Sequence, residues 1–201
     1  MLDTGNFILM YSGNDSNTTG TGFIINRKYK QPIINFEAVD ERTCSLRTEG
    51  KFCNFTIISV HASMEEKEEL FTDCFYNKLN QTHQRIPAHD TKIRVGDFKA
   101  KIGREEVFRP FIGKCSLHET SNKNEIRETN FVTNNNNMII KSTYFPLINI
   151  HKETWQSPDR RTNNHMDHIL ADGRNESSIM DVRSCRGEDC DLNQHLVRIN
   201  P

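Results

Sequence analysis

The chain has 201 residues, which is the length of one ordinary globular domain. Hydrophobic residues make up 35% of it, and 26 Lys and Arg residues against 27 Asp and Glu give a net charge of −1. This balance excludes a strongly basic protein that binds nucleic acid over its whole surface. No stretch approaches the roughly 18 consecutive apolar residues of a membrane span, so we expect no membrane partner.

The composition also predicts a compartment. The amino terminus lacks a basic segment followed by a long apolar stretch, so no signal peptide is indicated. We therefore expect an intracellular protein, nuclear or cytoplasmic, with its six cysteines reduced. The 21 Asn residues, four of them in the run 134–137, favour loops and helix caps. No linker or repeat divides the sequence, and we interpret residues 1–201 as one domain.

The first half of the chain predicts strands around one long helix. Residues 22–26 and 32–36 are typical of two antiparallel strands joined by a charged turn, and residues 44–47 and 52–60 are further strands. A capping box at Ser63–Glu66 and apolar residues at helical spacing predict a helix over 64–84, which ends before Pro87. The strand at 92–95 follows, so we expect a parallel βαβ unit.

The second half predicts shorter elements. Residues 124–133 are expected to form a short helix. Strands are expected at 138–140, 143–145, 154–155, 166–170, 178–181 and 195–199. Strands mixed with helices in this order predict an α/β layered sandwich.

Three polar residues lie at or near predicted strand ends. Asp97 follows a strand and a glycine, which suits either a functional carboxylate or an ordinary turn. Asp167 is set in an otherwise apolar strand, where it either faces water or orients a histidine or metal. His61 ends a strand just before the helix and is either structural or directed to the same sheet edge as Asp97.

Four blocks carry a family resemblance along nearly the whole chain. They are residues 55–62 (FTIISVHA), 92–106 (KIRVGDFKAKIGREE), 116–119 (SLHE) and 150–159 (IHKETWQSPD). They resemble the endonuclease domain of RTE-type non-LTR retrotransposons, a domain that host proteins of the craniofacial development protein 2-like type also carry. That domain belongs to the endonuclease/exonuclease/phosphatase superfamily, with exonuclease III and the apurinic endonucleases.

The resemblance implies a fold and a reaction. It implies a four-layer α/β sandwich of the exonuclease III-like type that hydrolyses DNA phosphodiester bonds with a divalent metal, usually Mg²⁺. Magnesium prefers carboxylate and water ligands, and acidic residues with an imidazole can activate a water molecule. DNA is the implied partner, and no small-molecule cofactor is indicated.

The resemblance also assigns residues. Asp97 matches the acid that orients the attacking water or accepts its proton, and Asp167 matches the acid that orients the catalytic histidine. His61 stands where relatives place a His or Tyr facing the phosphate. Asn124 matches the phosphate-contacting Asn, and Trp155 supports the strand beside the pocket.

Several positions depart from the family pattern. Lys99 replaces the Asn of the Gly-Asp-Phe-Asn motif, and Glu125 replaces the Gly after the phosphate-contacting Asn. The terminal Ser-Asp-His aligns with residues 192–194 (LNQ), so Asn193 replaces a metal-holding Asp and Gln194 replaces the catalytic His. A glutamine cannot accept a proton as imidazole does, and Asn193 lacks the charge that holds Mg²⁺. A slip of one residue would bring His195 there instead but would turn Leu196 to the wrong face.

The start of the chain departs as well. Residues 5–13 resemble the segment that follows the metal-binding Glu of relatives, and we expect the domain to lack its first strands. The sequence thus predicts a truncated, degenerate endonuclease domain whose hydrolytic activity is lost or very weak. The alternative is a non-catalytic module that binds nucleic acid or protein, with the basic residues Arg27, Lys28, Lys30, Lys99, Lys101 and Arg104.

Overall fold

A computed structural model describes residues 2–13, 19–62, 69–121, 132–133, 138–185 and 193–200. These ranges form strands and one α-helix, interspersed with 3-10 turns. The strands are β1 (Leu2–Asp3), β2 (Phe7–Gly13), β3 (Gly20–Asn26), β4 (Ile33–Asp40), β5 (Thr43–Thr48), β6 (Phe55–His61), β7 (Thr91–Asp97), β8 (Met138–Ile140), β9 (Trp155–Gln156), β10 (Asn163–Asn164), β11 (Asp167–Asp172), β12 (Asp181–Cys185) and β13 (Leu196–Asn200). The helix is α1 (Glu69–Arg85).

A six-stranded sheet in the order β4-β5-β6-β7-β11-β8 forms the centre of the molecule. Strands β6 and β7 are parallel and are connected through α1, as predicted for the βαβ unit, while the other neighbours are antiparallel. Because β6 and β7 run in the same direction, their carboxyl ends lie at the same edge of the sheet. This edge is where the candidate site forms.

Helix α1 covers one face of the central sheet. Its side chains Phe75, Tyr76 and Leu79 are buried and pack in one cluster with Ile58 and Val60 of β6. The helix ends at Arg85, before Pro87, as the sequence predicts. The capping box at residues 63–66 lies outside the described residues.

Two small sheets form a further layer on the opposite face. Side chains alternate along a strand, so Ser59 points away from α1, and its hydroxyl lies 2.5 Å from the Thr21 hydroxyl of β3. In the same layer, β12 and β13 pair and bring Val182 against Val95 of β7. A helix layer, a central sheet and a second layer of strands make the predicted α/β sandwich.

Three local predictions are wrong. Residues 22–26 and 32–36 do not pair with each other: β3 pairs with β2, and β4 joins the central sheet beside β5. The β2 pairing places Ile8 and Met10 of β2 in a core with Leu46, which a β3–β4 hairpin would leave unfilled. Residues 143–145 are not a strand, since Lys141–Thr143 is a 3-10 turn, and the strand expected at 178–181 begins only at Asp181.

Other predictions concern the described residues only in part. Of the expected helix at 124–133, only Val132 and Thr133 are described, and both are helical. The five cysteines in the described ranges are free thiols, and burial raises the pKa of Cys44 to about 11. Among the described residues, none of the helices is long and apolar enough to cross a membrane.

Candidate active site

Three of the predicted site residues stand in one row across the central sheet. His61 ends β6, Asp97 ends β7 and Asp167 begins β11. The parallel register pairs His61 with Asp97, and the antiparallel register pairs Asp97 with Asp167. The topology therefore brings an imidazole and two carboxylates, which are far apart in the sequence, to one edge of the sheet.

Gly96 allows β7 to place Asp97 at this edge. Its φ is +138°, and a Cβ at this position would lie 2.0 Å from the carbonyl oxygen of Val60 on the neighbouring strand. An L-residue is therefore excluded by both backbone conformation and space. The glycine lets β7 approach β6 closely just before the carboxylate of Asp97.

The Asp97 carboxylate is held by two neighbouring side chains. Its Oδ1 accepts a hydrogen bond from the Lys99 backbone amide at 2.9 Å, and the Lys99 Nζ lies 2.5 Å from its Oδ2. The Gln194 side-chain amide donates to the same Oδ2 at 3.0 Å. Lys99 adopts a left-handed φ of +52°, which turns the chain back towards Asp97. Both carboxylate oxygens thus accept hydrogen bonds from positions where the resemblance expects a neutral Asn and a His.

Asp167 lies beside Asp97 and is mostly buried. The side chain of Thr154 hydrogen-bonds to it, and the Thr154 hydroxyl also accepts from the Asp167 backbone amide at 3.1 Å. Its Oδ2 is buried and has no hydrogen-bond partner among the described residues. Burial first, and then the neighbouring Asp97 charge, raise the pKa of Asp167 to about 6.

His61 lies among opposing charges at the end of β6. Burial is the main cause that lowers its pKa, and Arg42 and Lys99 lower it further, while the Asp97 charge acts in the opposite direction. Arg42, in the turn between β4 and β5, donates from Nη1 to the His61 carbonyl oxygen at 3.2 Å. Because the lowered pKa keeps the imidazole neutral at pH 7, His61 can offer one donor and one acceptor to a ligand.

The carboxy-terminal segment reaches the site by pairing with the strand that contains Trp155. Trp155 forms a β-bridge with Gln194, and the His195 amide donates to the Thr154 carbonyl oxygen at 2.8 Å. In this register Gln194, and not His195, contacts Asp97. Asn193 is exposed, and its backbone carbonyl accepts from the Gln156 amide at 2.8 Å. The predicted residue Asn124 lies outside the described residues.

A cluster of buried histidines supports the site from behind. His168 follows Asp167, is 0% exposed, and its Nε2–H donates to the Ala100 carbonyl at 2.9 Å while its Nδ1 accepts from the Ser142 hydroxyl at 3.0 Å. The ring of His165 lies 4.5 Å away between centroids. Burial is the main cause that lowers the pKa of His168 to about 4. Neutral His168 thereby fixes the loop that follows Lys99.

The fold of this chain is similar to that of a solved endonuclease domain. The endonuclease domain of TRAS1, a telomere-specific non-LTR retrotransposon, superposes with a TM-score of 0.65, at 10% sequence identity, over 94% of this chain and 76% of that one. The chain has the fold of an endonuclease domain. This confirms the expected α/β sandwich fold class. No family model matches the sequence.

Two curated relatives resemble this endonuclease-like domain in sequence. Craniofacial development protein 2 of Tragulus javanicus is 30% identical over 198 residues, which cover 98% of this chain and 34% of the relative. The protein of the same name from Bos taurus is 29% identical over 198 residues, 98% of this chain and 33% of the relative. The chain thus spans about a third of the length of these relatives, and the predicted resemblance to this group is confirmed.

The described residues do not fit the Mg²⁺ that the resemblance implies. Among them, no group of three or more His, Cys, Asp or Glu side chains could hold a metal ion. Both oxygens of Asp97 already accept hydrogen bonds, and the ammonium of Lys99 stands against one of them. Gln194 presents an N–H donor to Asp97, and such a donor cannot ligate a cation. No metal-dependent step is therefore derived from these residues.

Two residues of the site were not predicted from the sequence. Arg42 lies in a turn, and only the pairing of β5 with β6 carries it to His61. Thr154 precedes Trp155 and reaches Asp167 because the chain folds back at residues 157–162. Arg42 belongs to no motif. Thr154 lies in the block 150–159 that carries the resemblance, but nothing in that block assigned it a contact with Asp167.

Proposed function

We propose that this chain is a degenerate endonuclease-like domain. Its ancestral reaction is the metal-dependent hydrolysis of DNA phosphodiester bonds, and that activity is lost or very weak in this chain. DNA is the ligand class that the fold favours. One observation carries the proposal: the carboxylate of Asp97 is held by the Lys99 ammonium and by the Gln194 amide.

Hydrolysis would need Asp97 and the side chain at position 194 to orient a water molecule and accept its proton. An acid that orients water needs a free lone pair. Lys99 and Gln194 already occupy Oδ2 of Asp97, and the Lys99 backbone amide takes one of the two lone pairs of Oδ1. An amide side chain has no ionisable proton near neutral pH, so Gln194 cannot replace an imidazole as acid or base. Loss of one member of a catalytic set lowers rates by several powers of ten, and here at least three members are changed, at Lys99, Asn193 and Gln194.

Nicking of supercoiled plasmid tests this proposal. The protein is incubated with plasmid and Mg²⁺ or Mn²⁺, in parallel with an Asp97→Ala variant purified in the same way. We expect both proteins to give the same background of nicked plasmid. Robust nicking by the unaltered protein that the variant lacks would show that the site is an active nuclease and overturn the proposal.

A second candidate function is a non-catalytic module that binds nucleic acid. It is supported by the two cations Arg42 and Lys99 beside the neutral His61 at one sheet edge. Of the other basic residues expected from the sequence, Arg27, Lys28 and Lys30 lie far from this edge. Arg27–Tyr29 and Lys30 precede Ile33, and the register Ile33–Thr48–Phe55 places them at the opposite end of the sheet. Arg104 is bound to the Ser116 carbonyl oxygen, with distances of 2.9 and 2.7 Å.

Salt-titrated DNA binding tests the second candidate. A site that uses the Arg42 and Lys99 charges should lose DNA affinity steeply as salt rises. The matched control is Arg27→Gln, which removes a charge at the far end of the sheet. If Arg42→Gln and Arg27→Gln weaken binding equally, or if binding is weak and flat with salt, no nucleic-acid site exists at this edge.

A further inference from the structure

We infer that the Lys99 ammonium acts as a built-in counter-ion at the acidic edge, in the place of a divalent cation, and thereby closes this edge to Mg²⁺. The inference extends the proposed function, since it names the cause of the disagreement between this site and the expected metal. It concerns cation binding alone and can be tested without any measurement of DNA cleavage.

The two acidic side chains create the need for a cation. Asp97 and Asp167 are direct register partners on neighbouring antiparallel strands. Like charges placed opposite each other in this way repel and destabilise the sheet. Lys99 contacts Asp97 directly, and its charge also acts on Asp167. One ammonium therefore neutralises Asp97 directly and reduces the repulsion felt by Asp167.

The backbone holds this ammonium in place. Lys99 lies two residues after Asp97 in a left-handed conformation that lysine rarely adopts, and its amide donates to Oδ1. The same residue thus binds both oxygens of one carboxylate, the second through Nζ at 2.5 Å. Its side chain is only 16% exposed, so solvent screens the ion pair weakly. Covalent attachment keeps this cation at high effective concentration whatever the composition of the solution.

A magnesium ion could not share this arrangement. Mg²⁺ requires oxygen ligands in near-octahedral geometry at about 2.1 Å and gives up its water reluctantly. To reach Asp97 it would have to displace the Lys99 ammonium and the Gln194 amide from Oδ2. If the ammonium stayed about 4 Å away, charges of +1 and +2 would repel by about 2 kcal/mol even in water, which is about 30-fold in affinity.

Terbium luminescence gives a direct readout of a cation at this edge. Tb³⁺ binds oxygen ligands as a probe for hard cations, and excitation of a nearby tryptophan sensitises its emission. The chain has one tryptophan, Trp155, which is bridged to the residue that contacts Asp97. The variants are Lys99→Asn, which removes the ammonium, and Lys101→Asn, which removes the same charge two residues along the chain. Lys99→Gln serves as a second neutral variant if the first does not fold.

The expected result is a gain of binding by the Lys99 variants alone. The unaltered protein and Lys101→Asn should show no saturable Tb³⁺ signal that Mg²⁺ competes away. Lys99→Asn should give a saturable signal with an affinity at least about 30-fold above the upper limit set by the unaltered protein, and a further Asp97→Ala change should abolish the signal. Saturable binding by the unaltered protein that depends on Asp97 would overturn the inference, whether or not DNA is cut. Equal behaviour of the Lys99 and Lys101 variants would overturn it too, and would leave the proposed loss of hydrolysis standing.

Discussion

Replacement of Asp167 by asparagine should stabilise this protein at neutral and alkaline pH. The carboxyl is mostly buried beside Asp97, and the folded protein raises its pKa from 3.8 to about 6. A pKa raised by folding means that the native state binds this proton more tightly than the unfolded chain does. Ionised Asp167 therefore lowers stability above pH 6, and this loss disappears as the pH falls below 3.8.

The size of the effect follows from the shift in pKa. A change of about 2 units corresponds to roughly 3 kcal/mol, because each unit is worth about 1.4 kcal/mol. Asparagine has nearly the shape of aspartate, and its NH₂ group can donate to the adjacent carboxylate of Asp97. Asp167→Asn should thus raise the free energy of unfolding by up to roughly 3 kcal/mol at pH 8 and change it little near pH 4.

Urea denaturation at several pH values between 4 and 8 measures this difference. The matched control is Glu37→Gln, which removes one negative charge from an exposed position on β4. The control should shift the unfolding free energy by a few tenths of a kcal/mol at most. A constant difference between Asp167→Asn and the unaltered protein over the whole pH range would refute the reasoning, since the gain would then not come from ionisation.

Three further changes test His168 and Gly96 beside the site and Asp90 at the opposite end of the central sheet. In the Asp167→Asn background, the free energy of unfolding should fall by roughly 3 kcal/mol as the pH is lowered from 6.5 to about 4. The reason is that burial lowers the pKa of His168 from 6.5 to about 4. His168→Gln should flatten this decline in urea titrations. Asp90→Asn should lower stability by about 3 kcal/mol, since Asp90 is 0% exposed and binds Arg47 at 2.7 and 3.0 Å; an unchanged melting temperature would contradict this. Gly96→Ala should lose more than about 3 kcal/mol or fail to fold, as circular dichroism would show, and a fully stable variant would disprove the close approach of the two strands.

The elements that the sequence predicts well are those with a strong local signal. Helix α1 has a regular apolar stripe and a proline beyond its end, and the structure ends it at Arg85. The strand that ends at Asp97 carries Ile93 and Val95 at alternate positions, and just before Asp97 it has a glycine whose φ of +138° L-residues rarely adopt. Once these two elements are fixed, the parallel pairing of β6 and β7 follows from chain length alone, because a crossover helix separates them.

Strand partners carry no such signal, and there the prediction fails. The segment 22–26 is a good strand whichever neighbour it has, and residues 32–36 are close enough in sequence to suggest a hairpin. Strand β3 pairs with β2 and not with β4 because this pairing buries Ile8 and Met10 together with Leu46 in one core. The alternation of apolar and polar residues along a strand carries no information about such a long-range packing requirement.

The site shows the same division between local and long-range information. Strand-end positions identified Asp97 and His61 as neighbours, because β6 and β7 end at one edge of the sheet. The place of Asp167 beside them depends on the antiparallel pairing of β11 with β7, which the sequence did not predict. Arg42 escaped prediction because its contact with His61 depends on the register of β5 against β6.

Lys99 and Gln194 are best understood together. Each replaces a residue expected from the resemblance, the two lie 95 positions apart in sequence, and both direct N–H donors to the same oxygen of Asp97. A histidine at position 194 could take a proton from water, and an asparagine at position 99 would leave the carboxylate without its counter-ion. With a lysine and a glutamine the carboxylate is instead satisfied as a structural anion, which stabilises the meeting point of β7, β11 and the carboxy-terminal segment. The contacts that satisfy the Asp97 carboxylate thus also hold this edge of the sheet together.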